Sequence, residues 1–261
     1  MSRKNDYERV ANLNKNKARL LTGSTIITLF LTLNEKNKWS ESYPQFADYL
    51  SVIIAINSML IVCYIAFEMR ANYIFTKAEK QRKLQYLDNS FGTNFANSTV
   101  QNYFTQDQIQ PGFYKLCVNC FENSFHTYNV VKAMQPKTYL KAAVVLVVFI
   151  FSASVGDKGV IRALIESILP LALIQDAIKT SIVITRLENI VENFRSFFNG
   201  LKHSDFTNKE PEAMKYIIEY ETTLAWASMP TDSDLFFKLQ DELAGEWEEI
   251  KKSYQINVVQ N

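Results

Sequence analysis

Charged residues inside an apolar block are the first candidates for chemistry in this sequence. The block from residue 160 to residue 185 is interrupted by Arg162, Glu166, Asp176 and Lys179. An ionisable group at membrane depth is costly unless it faces protein or water. Arg162 and Glu166 are four residues apart and therefore share one helical face, and Asp176 and Lys179, three apart, do the same.

Two interpretations of these charges stay open. In the structural one, Arg162 and Lys179 lie at the interfaces and Glu166 is buried between helices. In the functional one, Glu166 and Asp176 line a water-filled path that opens near a hinge at Pro170. A polar span is typical both of tight helix assembly and of a pore.

A second candidate site is the end of a predicted cytoplasmic helix. Asp88 and Asn89 follow the basic residues Lys80, Arg82 and Lys83. A carboxylate, an amide and nearby hydroxyls could hold the base edge or the phosphates of a small nucleotide. A capped helix end with solvated lysines explains the same residues, and the residues alone favour it. Both interpretations also apply to three residues of the stretch VNCFENSF, namely Asn119, Glu122 and Asn123.

Cys117 and Cys120 have a spacing that could bind zinc. Only His126 and His203 could complete such a site, so the pattern favours buried cysteines on an apolar stripe, and no metal site is predicted. The sequence has no phosphate-binding loop and no known hydrolase motif, and it contains only 7 glycines, so we expect no enzyme and no catalytic residues. With 28 basic and 27 acidic residues, it also lacks the charge of a DNA- or RNA-binding protein.

Four apolar blocks approach the length of about 20 residues that crosses a bilayer. They comprise residues 20–33, 46–67, 139–155 and 160–185. The first is short and rich in threonine, whose hydroxyls can bond to carbonyls of the preceding turn. Lysine and arginine are concentrated before the first block and after the second, which predicts that the N-terminus, the segment from 68 to 138 and the C-terminal tail are cytoplasmic.

The cytoplasmic segments are predicted to be helical. The second block continues to residue 87 as a helix that Gly92 can close, and residues 93–112 are predicted to be irregular. A helix from Phe113 is expected to end at Pro136, with an apolar stripe formed by Leu116, Cys120, Phe121, Phe125 and Tyr128. The fourth block continues to Leu201, and its apolar residues recur at helical intervals: Leu187, Ile190, Val191, Phe194, Phe197 and Phe198. Two amphipathic helices follow at 210–228 and 233–254, the second capped by Asp232 or Ser233.

The predicted fold is an all-α membrane protein with four transmembrane helices, a helical cytoplasmic insert between spans 2 and 3, and a helical cytoplasmic tail. Its predicted divisions are residues 1–67 with spans 1 and 2, 68–138 as the insert, 139–185 with spans 3 and 4, and 186–261 as the tail.

Two stretches carry a resemblance to a known family. The order of spans, the helix end KLQYLDNSFGTN and the later stretch FYKLCVNCFENSFHT together resemble the SMODS-associated four-transmembrane effector family of bacterial anti-phage systems. The resemblance covers nearly the whole chain, and LDNSFGT and VNCFENSF are its most specific parts.

The resemblance implies a homo-oligomeric effector of the bacterial inner membrane, as in CBASS or Panoptes-type systems. Its implied partners are the lipid bilayer and a cyclic dinucleotide or oligonucleotide messenger made by a nucleotidyltransferase-like synthase. The implied outcome is membrane disruption with growth arrest or cell death, and the nucleotide could either activate the effector or hold it off. A small channel or transporter without nucleotide gating, and a membrane scaffold that docks a cytosolic partner, are the alternatives.

Overall fold

The computed structural model describes residues 3–96, 106, 108–154, 160–202 and 204–256, with the backbone alone for 3–5, 40, 41, 44, 46–48, 160–170 and 233. The described part is all-helical and contains no strand, which confirms the all-α part of the predicted fold. In chain order the helices are α1 (Arg3–Asn37), α2 (Trp39–Ser42), α3 (Pro44–Phe91), α4 (Phe113–Ala153), α5 (Val160–Leu201), a 3-10 turn (Thr207–Lys209), α6 (Glu210–Ala227) and α7 (Ser233–Tyr254).

Several predicted helix ends are confirmed. Helix α3 ends at Phe91, and Gly92 follows with a φ of +68°, a left-handed conformation that glycine adopts without strain. The N–H of Gly92 donates to the carbonyl of Asp88 at 2.8 Å. At the start of α7 the carboxylate of Asp232 accepts from the N–H groups of Asp234 and Leu235, so Asp232 is the N-cap.

The predicted helix end at Pro136 is wrong. Helix α4 runs through this proline as one element of 41 residues. A proline within a helix has no N–H for the carbonyl four residues earlier, which costs about 3 kcal/mol or more. Here the helix continues because packing on both sides of the proline holds it, with Val130 and Val131 before it and Ala142 and Val145 after it all buried.

The chain forms two compact units, and α1, α3, α4 and α5 each contribute to both. Unit 1 contains residues 1–8, 74–134 and 180–261, and unit 2 contains residues 9–73 and 135–179. Unit 2 thus contains most of the four apolar blocks, and unit 1 contains most of the insert and all of the tail. Residues 155–159, between the third and fourth apolar blocks, lie outside the described residues.

The core of unit 1 is aromatic. The ring of Phe121 lies 5.4 Å from the rings of Phe194 and Phe198 and 5.1 Å from that of Trp247, measured between centroids. Each such pair adds about 0.5–1.5 kcal/mol beyond the burial of its area. The predicted apolar stripe of α5 is confirmed, since Leu187, Ile190, Val191, Phe194, Phe197 and Phe198 are all buried in this core.

Unit 2 has a small core and a large exposed apolar surface. Its buried cluster takes residues from all four apolar blocks: Leu21, Ile61, Tyr64, Ala142, Val145 and Leu173. The side chains that α3 exposes recur every three or four residues along one stripe, namely Tyr49, Val52, Ile56, Met59, Val62, Ile65, Met69 and Tyr73. In α4 the exposed set is Tyr139, Leu140, Val144, Val147 and Ile150.

This exposure identifies the apolar helices as candidate membrane spans. Two of the described helices are long and apolar enough to cross a bilayer, over Tyr49–Phe91 and Phe113–Ala153. Only 17% of the apolar window in each is buried in the structure, whereas a core helix of a soluble protein would be mostly buried. The exposed stripe of α3 from Tyr49 to Tyr73 is about 36 Å long at 1.5 Å per residue, which matches the hydrocarbon thickness with some tilt.

The hydroxyls of α1 bond to two kinds of partner, backbone carbonyls of the same helix and polar side chains of neighbouring helices. As predicted, Thr22, Thr25 and Thr32 donate to the carbonyls four residues earlier, at 2.8–2.9 Å. Thr32 also lies 2.8 Å from Ser152 of α4, and Ser24 donates to Asn57 of α3 at 2.7 Å. These buried hydroxyl and amide pairs link α1 to the two neighbouring helices of unit 2.

We predict that the hydroxyl pair Thr32–Ser152 contributes to the stability of unit 2. Thr32→Val keeps the shape of the side chain but removes the hydroxyl from a fully buried site, so the free energy of unfolding should fall by about 1 kcal/mol. The measurement is equilibrium unfolding of the purified protein in mixed micelles with increasing denaturing detergent.

Thr22→Val is the matched control, because Thr22 is exposed and its hydroxyl contacts only the carbonyl of Ala18 within the same helix. Its effect should be smaller than that of Thr32→Val. Equal effects of the two substitutions would show that the bond between helices contributes nothing.

Candidate functional site

The two stretches that carry the family resemblance meet in unit 1. The side-chain amide of Asn119, in α4, donates to Asn89 Oδ1 and to Ser90 Oγ at the end of α3, both at 3.0 Å. The N–H of Gly112 donates to the carbonyl of Ser90 at 2.7 Å. Ser90 and Asn119 are fully buried. The structure thus brings together two of the predicted ligand-binding residues, Asn89 and Asn119.

Glu122 extends the same side of α4. It lies three residues after Asn119, and its carboxylate accepts from Nε2 of Gln106 at 3.0 Å. Gln106 is fully buried although it belongs to the irregular segment between α3 and α4. We call Asn89, Ser90, Gln106, Asn119 and Glu122 the polar face of unit 1.

Four buried polar side-chain atoms of unit 1 lack a partner among the described residues. The buried atoms Asn119 Oδ1, Gln81 Oε1 and His126 Nε2, on α3 and α4, have no hydrogen bond among the described residues, nor has Trp247 Nε1 on α7. Since more than nine in ten buried polar groups are hydrogen-bonded in native structures, each exception calls for a physical explanation such as a water or a ligand. Because Asn119 Oδ1 has no partner, the polar face is a candidate site for such a water or ligand.

Asp88 caps the end of α3. Its carboxylate accepts from the N–H groups of Phe95 and Ala96 at 2.6 and 2.8 Å and from the hydroxyl of Thr93 at 2.8 Å. Slight desolvation acts to raise the pKa of Asp88, but these three hydrogen bonds outweigh it and lower the pKa. The carboxylate therefore holds the chain that leaves the helix, as the capped-end interpretation predicts.

Arg82 and Lys83 form an ion-pair cluster with α6. Nη2 of Arg82 donates to both carboxylate oxygens of Glu221, at 2.9 and 3.0 Å, and Nε donates to Glu79 at 2.8 Å. Lys83 lies 3.2 Å from Glu221, whereas Lys80 is exposed to solvent. In this arrangement Arg82 and Lys83 are directed at carboxylates of unit 1.

The cysteines lie in the core. Cys117 and Cys120 are fully buried, and burial, as the first cause, raises the pKa of both thiols. Both are free, and the described residues contain no cluster of three or more metal-binding side chains. The prediction of buried cysteines on an apolar stripe is confirmed, because Leu116, Phe121 and Phe125 are buried beside them.

The charged residues of α5 are only partly described. The side chains of Arg162, Glu166 and Pro170 lie outside the described residues, so the predicted path and hinge stay predictions. Asp176 and Lys179 are described, and the charges of Lys179 and of Lys17 in α1 both act on Asp176. Lys17 in turn pairs with Glu68 of α3.

Sequence reasoning missed several residues of unit 1. Ser90 and Gln106 belong to the polar face, and Glu221 holds Arg82. The signal for Ser90 was present, since it lies beside Asn89 in the LDNSFGT stretch. No local pattern could identify Gln106 or Glu221, because their partners are 16 and 139 residues away. Asn123 is half-buried and has no hydrogen-bond partner within the described part of the chain.

Comparisons with protein families, with curated proteins and with solved structures give no match for this chain.

We predict that Arg82 is a main stabilising contact of unit 1. Arg82→Ala removes the buried guanidinium that Glu221 and Glu79 both contact, and breaking a buried pair of this kind costs about 3 kcal/mol or more. The measurement is chemical denaturation in detergent micelles, followed by tryptophan fluorescence.

Lys83→Ala serves as the control, because the Lys83 side chain contacts the same carboxylate but is 41% exposed. Lys83→Ala should lower the free energy of unfolding by less than about 1 kcal/mol. If the two substitutions lower the free energy of unfolding by the same amount, the burial of Arg82 adds nothing to stability.

We also predict a pH dependence from His126. Burial lowers the pKa of His126 to about 4 from a usual value of 6.5. The unfolded chain therefore takes up the proton first, so the contribution of His126 to stability is complete above pH 6.5 and is lost as the pH falls towards 4.

His126→Gln removes this titration. Between about pH 7.5 and 4.5, the free energy of unfolding should fall by roughly 2 kcal/mol less in the variant than in the wild type. The measurement is denaturation at a series of pH values for the wild type and the variant. Parallel profiles for the two proteins would contradict a buried neutral imidazole.

Proposed function

We propose that this chain is a membrane effector of a bacterial anti-phage system, controlled by a cyclic nucleotide messenger and acting by disrupting the inner membrane. The resemblance to the four-transmembrane effector family is one support. The observation that carries the proposal is that the two stretches of this resemblance meet in one buried polar face, on the same two helices whose other parts expose apolar stripes.

The proposed topology has four crossings with both termini cytoplasmic. Two candidate spans are long and apolar enough by themselves, in α3 and α4. The other two would be the hydroxyl-rich part of α1 and the first half of α5. Two observations support their assignment to the bilayer. The core of unit 2 contains residues of all four segments, and Ile26 of α1 and Leu171 of α5 expose more than half of their surface.

The proposed mechanism is a shift between two arrangements of the helices. A ligand changes the balance between two states only by as much as it binds one of them better. Helices α3 and α4 contribute residues both to the polar face and to the apolar stripes. A nucleotide bound at the polar face would therefore act on the same helices that contact lipid, and copies of the chain would assemble through their spans.

The test is expression in a bacterial host with a membrane-potential dye and a count of viable cells. Four strains are needed: the chain alone, the chain with a nucleotidyltransferase-like synthase, the chain with a catalytically inactive form of that synthase, and the synthase alone. We expect loss of potential in a pattern that depends on synthase activity. Loss only with the active synthase would mean that the nucleotide activates, and loss only without it that the nucleotide restrains.

Two outcomes would reject the proposal. Ion flux that is the same in all strains containing the chain, and in liposomes without nucleotide, would indicate a constitutive channel or transporter. Unchanged potential and viability in every strain, together with a stable soluble partner on the tail, would indicate a scaffold.

A further inference from the structure

The segment that joins α6 to α7 lies where the apolar blocks of the chain reach unit 1. Sδ of Met229 accepts from the hydroxyl of Thr180 in α5 at 3.6 Å, and the N–H of Asp232 donates to Sδ of Met134 in α4 at 3.3 Å. Thr180 belongs to the fourth apolar block and is the first residue of α5 in unit 1. Met134 is the last residue of α4 in unit 1, shortly before the third block. The joining segment is therefore held beside the ends of two proposed spans.

Two exposed aromatic side chains flank this segment. Trp226, in the last turn of α6, is 42% exposed, and Phe237, near the start of α7, is 62% exposed. Phe236, the neighbour of Phe237, packs against the core of unit 1, so the start of α7 is held in place and Phe237 is directed outwards. Aromatic rings with one apolar and one wet side are enriched at membrane–water interfaces.

A cation lies on the ring of Trp226. The guanidinium carbon of Arg186 is 4.7 Å from the centroid of that ring, which is a cation–π contact. Arg186 is exposed and directly follows the fourth block. Along α5 it shares a face with Ile178 and Ile182, because the three lie four residues apart, and both isoleucines are exposed. The exposed apolar stripe of α5 thus ends at a cation and an aromatic ring, the residue types that mark a membrane boundary.

Ile218 of α6 shows that exposure alone does not define this surface. It is exposed, but it lies about 12 Å before Trp226 along the helix, at 1.5 Å per residue. Helix α6 runs antiparallel to α5, since Trp226 meets Arg186 whereas Tyr216 meets Phe194, further along α5. Ile218 therefore lies farther than Trp226 from the fourth block and should face water.

We propose that Trp226, Phe237 and Arg186 form an interfacial anchor that binds unit 1 to the phospholipid layer around the apolar helices. The two rings insert at the boundary between headgroups and acyl chains, and the guanidinium of Arg186 lies at the level of the lipid phosphates. The surface binds lipid because it continues the exposed apolar stripe of α5. The inference rests on the proposed function only in that the apolar helices cross a bilayer.

The test is site-directed spin labelling of the full chain in liposomes of phosphatidylethanolamine and phosphatidylglycerol. All variants carry Cys63→Ser, and the parent without an added cysteine gives the background from Cys117 and Cys120, which are fully buried. Collisions of each label are measured with oxygen, which dissolves in lipid, and with a neutral nickel chelate, which dissolves in water. The four labelled variants are Trp226→Cys, Phe237→Cys, Ile218→Cys and Met59→Cys.

The labels at 226 and 237 should collide more with oxygen than with the nickel chelate. The label at 59, in the exposed stripe of α3, is the lipid reference and should do the same. The label at 218, the matched control on α6, should show the reverse. A nickel-dominated label at either ring position overturns the anchor. Low collision with both reagents at 226 and 237 also overturns it, because the surface would then be covered by a protein partner or a second copy of the chain.

Quenching of the native Trp226 tests the anchor without a label. In liposomes of lipids brominated at the acyl carbons nearest the headgroup, the fluorescence of the wild type should be quenched, and Trp226→Phe should lose part of this quenching. Trp39 and Trp247 are present in both proteins, so the difference belongs to Trp226. Equal fractional quenching of the two proteins would contradict the insertion of this ring.

The label at 59 separates this inference from the proposed function. If it too is dominated by nickel, α3 does not cross the bilayer, and the anchor and the effector function fail together. A label in lipid at 59 with labels in water at 226 and 237 removes the anchor alone. Labels in lipid at all three positions, in a chain that never depolarises cells, remove the effector function alone.

Discussion

The ring of Phe121 packs with four other aromatic rings, two from α5 and two from α7, and the rest of unit 1 depends on this packing. It fixes the rotation of α4, because a fully buried side chain of that size has no alternative position in a close-packed core. With Phe121 directed into the core, Asn119 meets the end of α3 and Glu122 meets Gln106. The polar face is therefore a consequence of where the aromatic side of α4 lies.

The same long helices bury their apolar side chains in unit 1 and expose their largest apolar side chains in unit 2. In unit 1 the long helices bury aromatic and aliphatic side chains, and the permanent cations Arg82 and Lys251 are neutralised by carboxylates. In unit 2 the same helices expose their largest apolar side chains and bury hydroxyls and an amide, as Ser24, Asn57, Thr32 and Ser152 show. A surface of that composition is unfavourable in water and favourable in lipid, where helices associate through small and polar residues.

The buried amide of Asn119, with an oxygen that has no partner among the described residues, is the reason to place a candidate site at the polar face. A buried group that lacks a partner costs free energy on folding, so it persists where something else supplies the missing bond or where function requires it. Cys117 and Cys120, the neighbours of Asn119 in α4, are unreactive, because burial favours their neutral thiols. The polar face thus has an unused acceptor at Asn119 Oδ1, and the described residues contain no metal-binding cluster.

The sequence by itself determined the helical class, the apolar blocks, the end of α3 at Gly92, the cap of α7 at Asp232 and the apolar stripes of α4 and α5. These features depend on neighbours within a few residues, and periodicity and capping chemistry record them directly. Tertiary structure alone decided that α4 continues through Pro136, that Arg82 faces Glu221, and that Gln106 and Lys115 are buried. Each of these depends on which distant helix lies opposite, and the free energy of those contacts outweighs the local preference that the sequence displays.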